Sequence, residues 1–186
     1  MSDSSHLIDD VHNFWFGPPP YERRLIWFEK DLEFDAEIRA RFGEAWLQAS
    51  SGAFDHFAET ARGRLALLVL LDQFSRNLYR GDARSYSNDA KALALAKVGI
   101  REGHDMEISI YERIFMYLPF EHSEVLTEQK QFIKLCANLP ERNLKAGRKH
   151  LVIIERFGRF PHRNDALGRI TTEKEAAFLL EPDSSF

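Results

Sequence analysis

The sequence predicts an all-α fold, with about eight or nine helices arranged as antiparallel helix hairpins in a tetratricopeptide-like array. Three observations carry this. Apolar residues recur at i, i+3 and i+4 along most of the chain. Runs of strand-like alternation are nearly absent. Gly, Pro and capping residues fall where they leave only short turns between helices. The chain has 186 residues, 44% of them apolar and 29% charged. A chain of this size buries about 70% of the surface its unfolded form exposes. It is expected to form one all-α domain, residues 1–186, with an N-terminal arm of about residues 1–20 docked on it.

The elements follow in order. SSHLIDDVHNFWFG reads as a helix capped by Ser4 or Ser5 and closed by Gly17, with Leu7, Val11, Phe14 and Trp15 on one face. Pro18, Pro19 and Pro20 break the chain. Tyr21 to Phe28 is expected to form a short helix that buries Leu25 and Phe28. From Asp31 to Ser50, the stripe Phe34, Ile38, Phe42, Ala45, Trp46 marks a helix. Gly43 inside it suggests a closely packed neighbour. A helix from about Arg62 to Tyr79 contains LALLVLL, is apolar on every side there, and is therefore expected at the centre. Ser87 or Asn88 caps a helix running to about Arg101. Ile108 to Leu118 follows, with Ile110, Ile114, Phe115 and Leu118 inside and Pro119 as its stop. Ser123 is expected to cap a helix over Glu124–Asn138, and Pro140 starts the next, about Glu141 to Phe157. RFPHRNDALGR reads as loop. Thr172 and Glu175 have capping-box spacing for a last helix over Glu173–Leu180.

Composition excludes several function classes. Cys136 is the only cysteine, which rules out an internal disulfide and a thiolate-rich metal site and fits a reducing, cytoplasmic location. No signal-peptide pattern opens the chain. The longest apolar run, Leu65 to Leu71, is far short of the ~20 residues that cross a bilayer. The net charge is −4, yet Leu139 to Ile170 carries six Arg and two Lys against three acids, so that segment is +5 and the remainder −9. A mildly acidic chain with one basic segment suits a local anion site or a self-contact better than nucleic acid. Neither HExxH, Glu-x-x-His, GxSxG, a P-loop nor GxGxxG is present, so no metal and no cofactor is implied. Cys136 occupies an apolar helical position, as a small core residue does.

Three polar clusters stand out. In LLDQFSRNLYRG, Asp72 and Arg76 are spaced i, i+4 in the favourable order, and Gln73 and Asn77 repeat that spacing. They extend a helix expected to be buried, so they either tie central helices together or line a site. In YLPFEHSE, His122 is flanked by Glu121 and Glu124 at a helix junction, as an acid–base histidine or as part of a capping turn. In RFGRFPHRN, Gly158 suits a helix C-terminus, and Arg156 and Arg159 could satisfy its last carbonyls. That leaves His162, Arg163 and Arg169 beyond the helix end. They could fork a carboxylate or phosphate ligand, the protein's own acids, or a partner surface.

These three stretches, with RFGRFPHRNDALGR followed by TTEKEAAFL, resemble a bacterial family of unknown function, numbered 924, over about Asp9 to Leu180. The resemblance implies a fold similar to tetratricopeptide-like arrays and no accepted activity. The family pattern often has proline where Ser75 stands.

The reading is an Arg/His/acid pocket that binds a small anion. Arg159, Arg163, Arg76, Asn77, Asp72, Glu121 and Arg169 are its ligand-binding candidates, and His122, His162 and Glu124 its acid–base candidates. Two alternatives stay open: an acid–base enzyme of hydrolase type using the same pocket, and an interaction scaffold taking a peptide or a second copy of the chain.

Overall fold

The computed structural model describes residues 2–182 and 184, with the side chains of residues 2–5 outside the description. It is all-helical, with no strand among the described residues. The chain falls into two compact units. One holds the residues up to Arg80 together with Arg84–Pro119. The other holds Gly81–Ala83 and the chain from Phe120 onward.

The first unit contains α1 (Ser2–Phe16), α2 (Leu32–Ser50), α3 (Ala61–Leu68), α4 (Ser75–Leu78), α5 (Asp89–Glu102) and most of α6 (Ile110–Glu121). α1 is helical from Ser2, so Ser4 and Ser5 lie within its backbone, and capping by either side chain lies outside the described residues. α1 and α5 pack against α3, and α2 packs against α4 and the turns before it. Leu65 to Leu71 is fully enclosed, as a helix without a polar face must be. Aromatic edges complete the core: Trp15 meets Phe74 at 5.6 Å and Phe115 at 5.5 Å between ring centroids.

Several expectations change here. The predicted helix over 62–79 is not uniform, because Val69–Phe74 is wound as π-helix between α3 and α4. A stretch apolar on all sides gives no periodicity from which that widening could be read. Ser75 follows it directly. Its hydroxyl donates to the Leu71 carbonyl at 2.6 Å and accepts from the Trp46 indole at 2.7 Å. Tyr21–Phe28 forms only a single 3-10 turn, Leu25–Trp27, in which Trp27 is buried while Leu25 and Phe28 are more than half exposed. Trp27 has the indole donor that reaches the Trp15 carbonyl, at 2.7 Å, and it takes the inner place. Gly43 has no close neighbour: an added Cβ would meet nothing within 4 Å. Pro119 does not stop α6, which continues to Glu121, since one lost backbone donor is tolerated where the flanking side chains are buried. Ile110 lies on the exposed side of that helix.

The second unit contains α7 (Leu126–Leu135), α8 (Glu141–Phe157) and α9 (Glu173–Leu179). α7 starts later than predicted, with Val125 as N-cap, while Ser123 accepts a hydrogen bond from the Val125 N–H in the preceding turn. α7 and α8 pack tightly because Gly147 admits the Phe132 ring; a Cβ there would sit 2.6 Å from it. Ile153, Ile154, Phe160 and Phe178 form a core that joins α8 to α9. The predicted capping box is present: Thr172 accepts from the Glu175 N–H, and Glu175 accepts from the Thr172 N–H. Among the described residues, no helix is long and apolar enough to cross a membrane.

Candidate functional site

The basic stretch begins where α8 ends. Gly158, at φ +69°, closes the helix by donating to the Ile154 carbonyl at 2.8 Å. Pro161 then opens a one-turn 3-10 helix, Pro161–Arg163, in place of the predicted irregular loop. The arginines are dispersed by different partners. Arg159 leaves the helix end and forks Glu175 at 2.6 and 2.9 Å, with a further bond to the Ile170 carbonyl. Arg156 likewise makes no capping bond among the described residues. It lies over the Phe157 and Phe178 rings, 3.7 Å from Glu181. Arg169 forks Glu124 at 2.8 and 3.0 Å, and Glu124 also accepts the Phe160 N–H at 2.7 Å. Arg163 is buried at 6% exposure, stacks on Phe160 and donates to the His122 carbonyl at 3.0 Å.

The second and third sequence clusters therefore meet inside one unit. Their electrostatics follow from these contacts. Burial alone would raise the Glu124 carboxyl, but the Arg169 hydrogen bonds, the Phe160 N–H and the charges of Arg169 and Arg163 hold it below the usual range. The hydrogen bond from Arg159, followed by the Thr172 N–H, holds Glu175 far below that range. His150, on the buried face of α8, donates from Nδ1 to the Ala146 carbonyl at 3.0 Å, with Glu121 3.4 Å away. Burial pushes its imidazole down to about 3; the Ala146 bond opposes this, and the nearby charges of His122, Arg163 and His162 add to it. Phe160 sits between His150 and His162, 5.6 Å from each ring. Burial, then the Glu121 charge, pushes the Cys136 thiol up to about 12, which leaves it a core residue.

The first cluster belongs to the other unit. Arg76 lies 3.3 Å from Asp72, as the i, i+4 spacing predicts, and also forks Asp89 at 3.1 and 3.2 Å. Burial would lower the Arg76 pKa, but the charges of Asp72 and Asp89 outweigh it and raise it. Asn77 donates to Asp35 at 2.7 Å, and Arg80 forks the same carboxylate. Asp35, Asp89 and Arg80 were not singled out in the sequence. Their partners lie 13 to 45 residues away, which no helical spacing reveals.

One open hollow of about 560 Å³ lies in the second unit, lined by Arg156, Phe157, Arg159, Thr172, Lys174 and Glu175. Of the residues predicted to bind a ligand, Arg159 alone lines it. Among the described residues, no group of three His, Cys, Asp or Glu side chains could hold a metal ion.

Fold and site together define an all-helical protein whose notable chemistry is arginine–carboxylate forking beside crowded imidazoles. The chain belongs to the family described as bacterial protein of unknown function, DUF924, whose model matches residues 11–183. A solved structure of a protein of unknown function from Agrobacterium tumefaciens is similar to it at 40% identity. The match has a TM-score of 0.89 and covers 96% of this chain and 99% of that one. Among curated proteins, nothing matches.

Proposed function

We propose that the second unit binds a small anionic compound, a carboxylate or a phosphate, in the hollow between the end of α8 and the start of α9. One observation carries the reading: three cations, Arg156, Arg159 and Lys174, line the hollow with a single carboxylate, Glu175. Glu175 is already held by Arg159 and by the Thr172 N–H, so that pair is close to neutral and Arg156 and Lys174 carry the net positive charge of the lining. Arg159 keeps its Nη1 edge without a hydrogen bond among the described residues, and Lys174 has no acidic partner there. Guanidinium and ammonium groups together are a common recognition pair for carboxylates and phosphates.

Thermal shift with inorganic phosphate and with acetate tests this. A ligand at ten times its dissociation constant stabilises by about 1.4 kcal/mol, which is readable as a rise in melting temperature. The Arg156→Ala/Lys174→Ala double variant, compared with its own ligand-free melting, is expected to lose most of the rise that phosphate gives. No stabilisation by any carboxylate or phosphate near millimolar concentration overturns the reading.

A second reading, acid–base chemistry, is favoured by His150 and His162 each lying 5.6 Å from Phe160, with the His122 charge near enough to act on His150. In that reading His122 or His162 moves the proton, with Glu121 or Glu124 orienting an imidazole. Turnover of a model ester or phosphate ester that His122→Ala and His162→Ala abolish, with the fold intact, is its required result.

A further inference from the structure

The lining of the hollow also points to a class of ligand, an inference that rests on the anion-binding reading above. Its cations come from three separate sites. Arg159 sits just past the end of α8, Arg156 is in the last turn of that helix, and Lys174 is in the first turn of α9. None can take the place of another. Arg156 lies over Phe157 and Phe178, 4.7 and 5.3 Å from their ring centroids, and Arg159 is fixed by Glu175 and the Ile170 carbonyl. The lining itself sums to two positive charges after Glu175 is counted. The Arg156–Glu181 contact, at 3.7 Å and with both side chains about half exposed, is weak enough for a ligand to displace. The hollow is open to solvent, with a volume of about 560 Å³. Phe157 supplies an apolar wall, and the Thr172 side chain lines the same hollow.

We infer that the ligand is an organic dianion: two acidic groups, carboxylate or phosphate, separated by a short apolar spacer. One acid would sit against the free Nη1 edge of Arg159. The other would sit against Lys174 and Arg156, with the spacer along Phe157. A single acidic group can use only one of these positions at a time.

Isothermal titration of the full chain at constant ionic strength tests the inference, with acetate, inorganic phosphate, malonate, succinate, glutarate and glycerol phosphate as probes. Succinate or glutarate is expected to bind at least about tenfold more tightly than acetate, the gain expected of one added charge-assisted contact. Lys174→Ala is expected to reduce the dicarboxylates to the acetate level and to leave acetate within about twofold. If acetate or phosphate binds as tightly as every dianion, the spacer argument is wrong and simple anion binding stands. If none of the six probes binds, both readings fall. If dicarboxylates bind but Lys174→Ala and Arg156→Ala change nothing, the ligand lies elsewhere and the inference is overturned.

Discussion

Mild acid should destabilise the second unit through one histidine, and the size of the effect can be worked out from the structure. His150 is buried, and its imidazole is pushed down to about 3, against an unfolded value of about 6.5. A histidine with a lowered folded pKa stays neutral in the native state and takes its proton only when the chain opens. The unfolded state therefore binds one more proton between pH 6.5 and pH 3, and stability falls as pH falls through that window. The slope is about 1.4 kcal/mol per pH unit, so going from about pH 7 to about pH 5 costs roughly 2 kcal/mol. Glu112, Glu124 and Glu175, all held below the usual carboxylate range, act in the same direction. Their contributions are lost only as pH falls below the unfolded carboxylate value of about 4.3. The interval from about pH 6.5 to about pH 5 therefore separates the histidine from these three carboxylates. Urea midpoints across it, read by a probe in the second unit, measure the slope, and a ring-proton titration of His150 confirms the assignment. His150→Gln should flatten the profile in that interval. A flat wild-type profile, or an undiminished slope in the variant, would refute the reasoning.

Two helical glycines should respond to the same substitution with opposite signs. Gly63→Ala places a Cβ 2.3 Å from the Phe57 carbonyl oxygen and is expected to cost about 3 kcal/mol. Gly43→Ala meets nothing and should stabilise by about 0.5–1 kcal/mol. Chemical denaturation of both variants checks the pair. Thr172→Ala removes the accepting half of the α9 capping box and should cost about 1 kcal/mol, with Thr172→Ser restoring most of it. Cys136 should resist a thiol reagent at neutral pH until the chain is unfolded, because its thiol is enclosed and held up to about 12.

What the sequence made legible was local. The capping box at Thr172 and Glu175, the αL closure at Gly158 and the Asp72–Arg76 pair all depend on spacings of a few residues, which helix geometry fixes. The enclosure of Leu65–Leu71 was equally legible, since a helix without a polar face has one place to go. The same uniformity hid the π-helical winding at Val69–Phe74. Partner choice was not legible. Arg169 reaches Glu124 across 45 residues and Arg76 reaches Asp89 across 13. A basic residue in a sequence does not say which carboxylate it will fork. Lys174 and Arg156 were missed as hollow-lining residues because each also reads as an ordinary solvated helix residue. A capping role for Arg156 was the natural reading of its place in the last turn, but two aromatic faces hold it instead.

The most direct measurement follows the arginine Nε–Hε and lysine side-chain resonances by nuclear magnetic resonance while succinate is added at fixed ionic strength. The account predicts saturable shifts at Arg156, Arg159 and Lys174, all with one dissociation constant, while Arg39, which donates to the Leu78 carbonyl, and Arg113, which donates to the Asp105 carbonyl, both in the other unit, stay still. Small, unsaturating shifts spread evenly over all arginines, no larger than those from chloride, would contradict it.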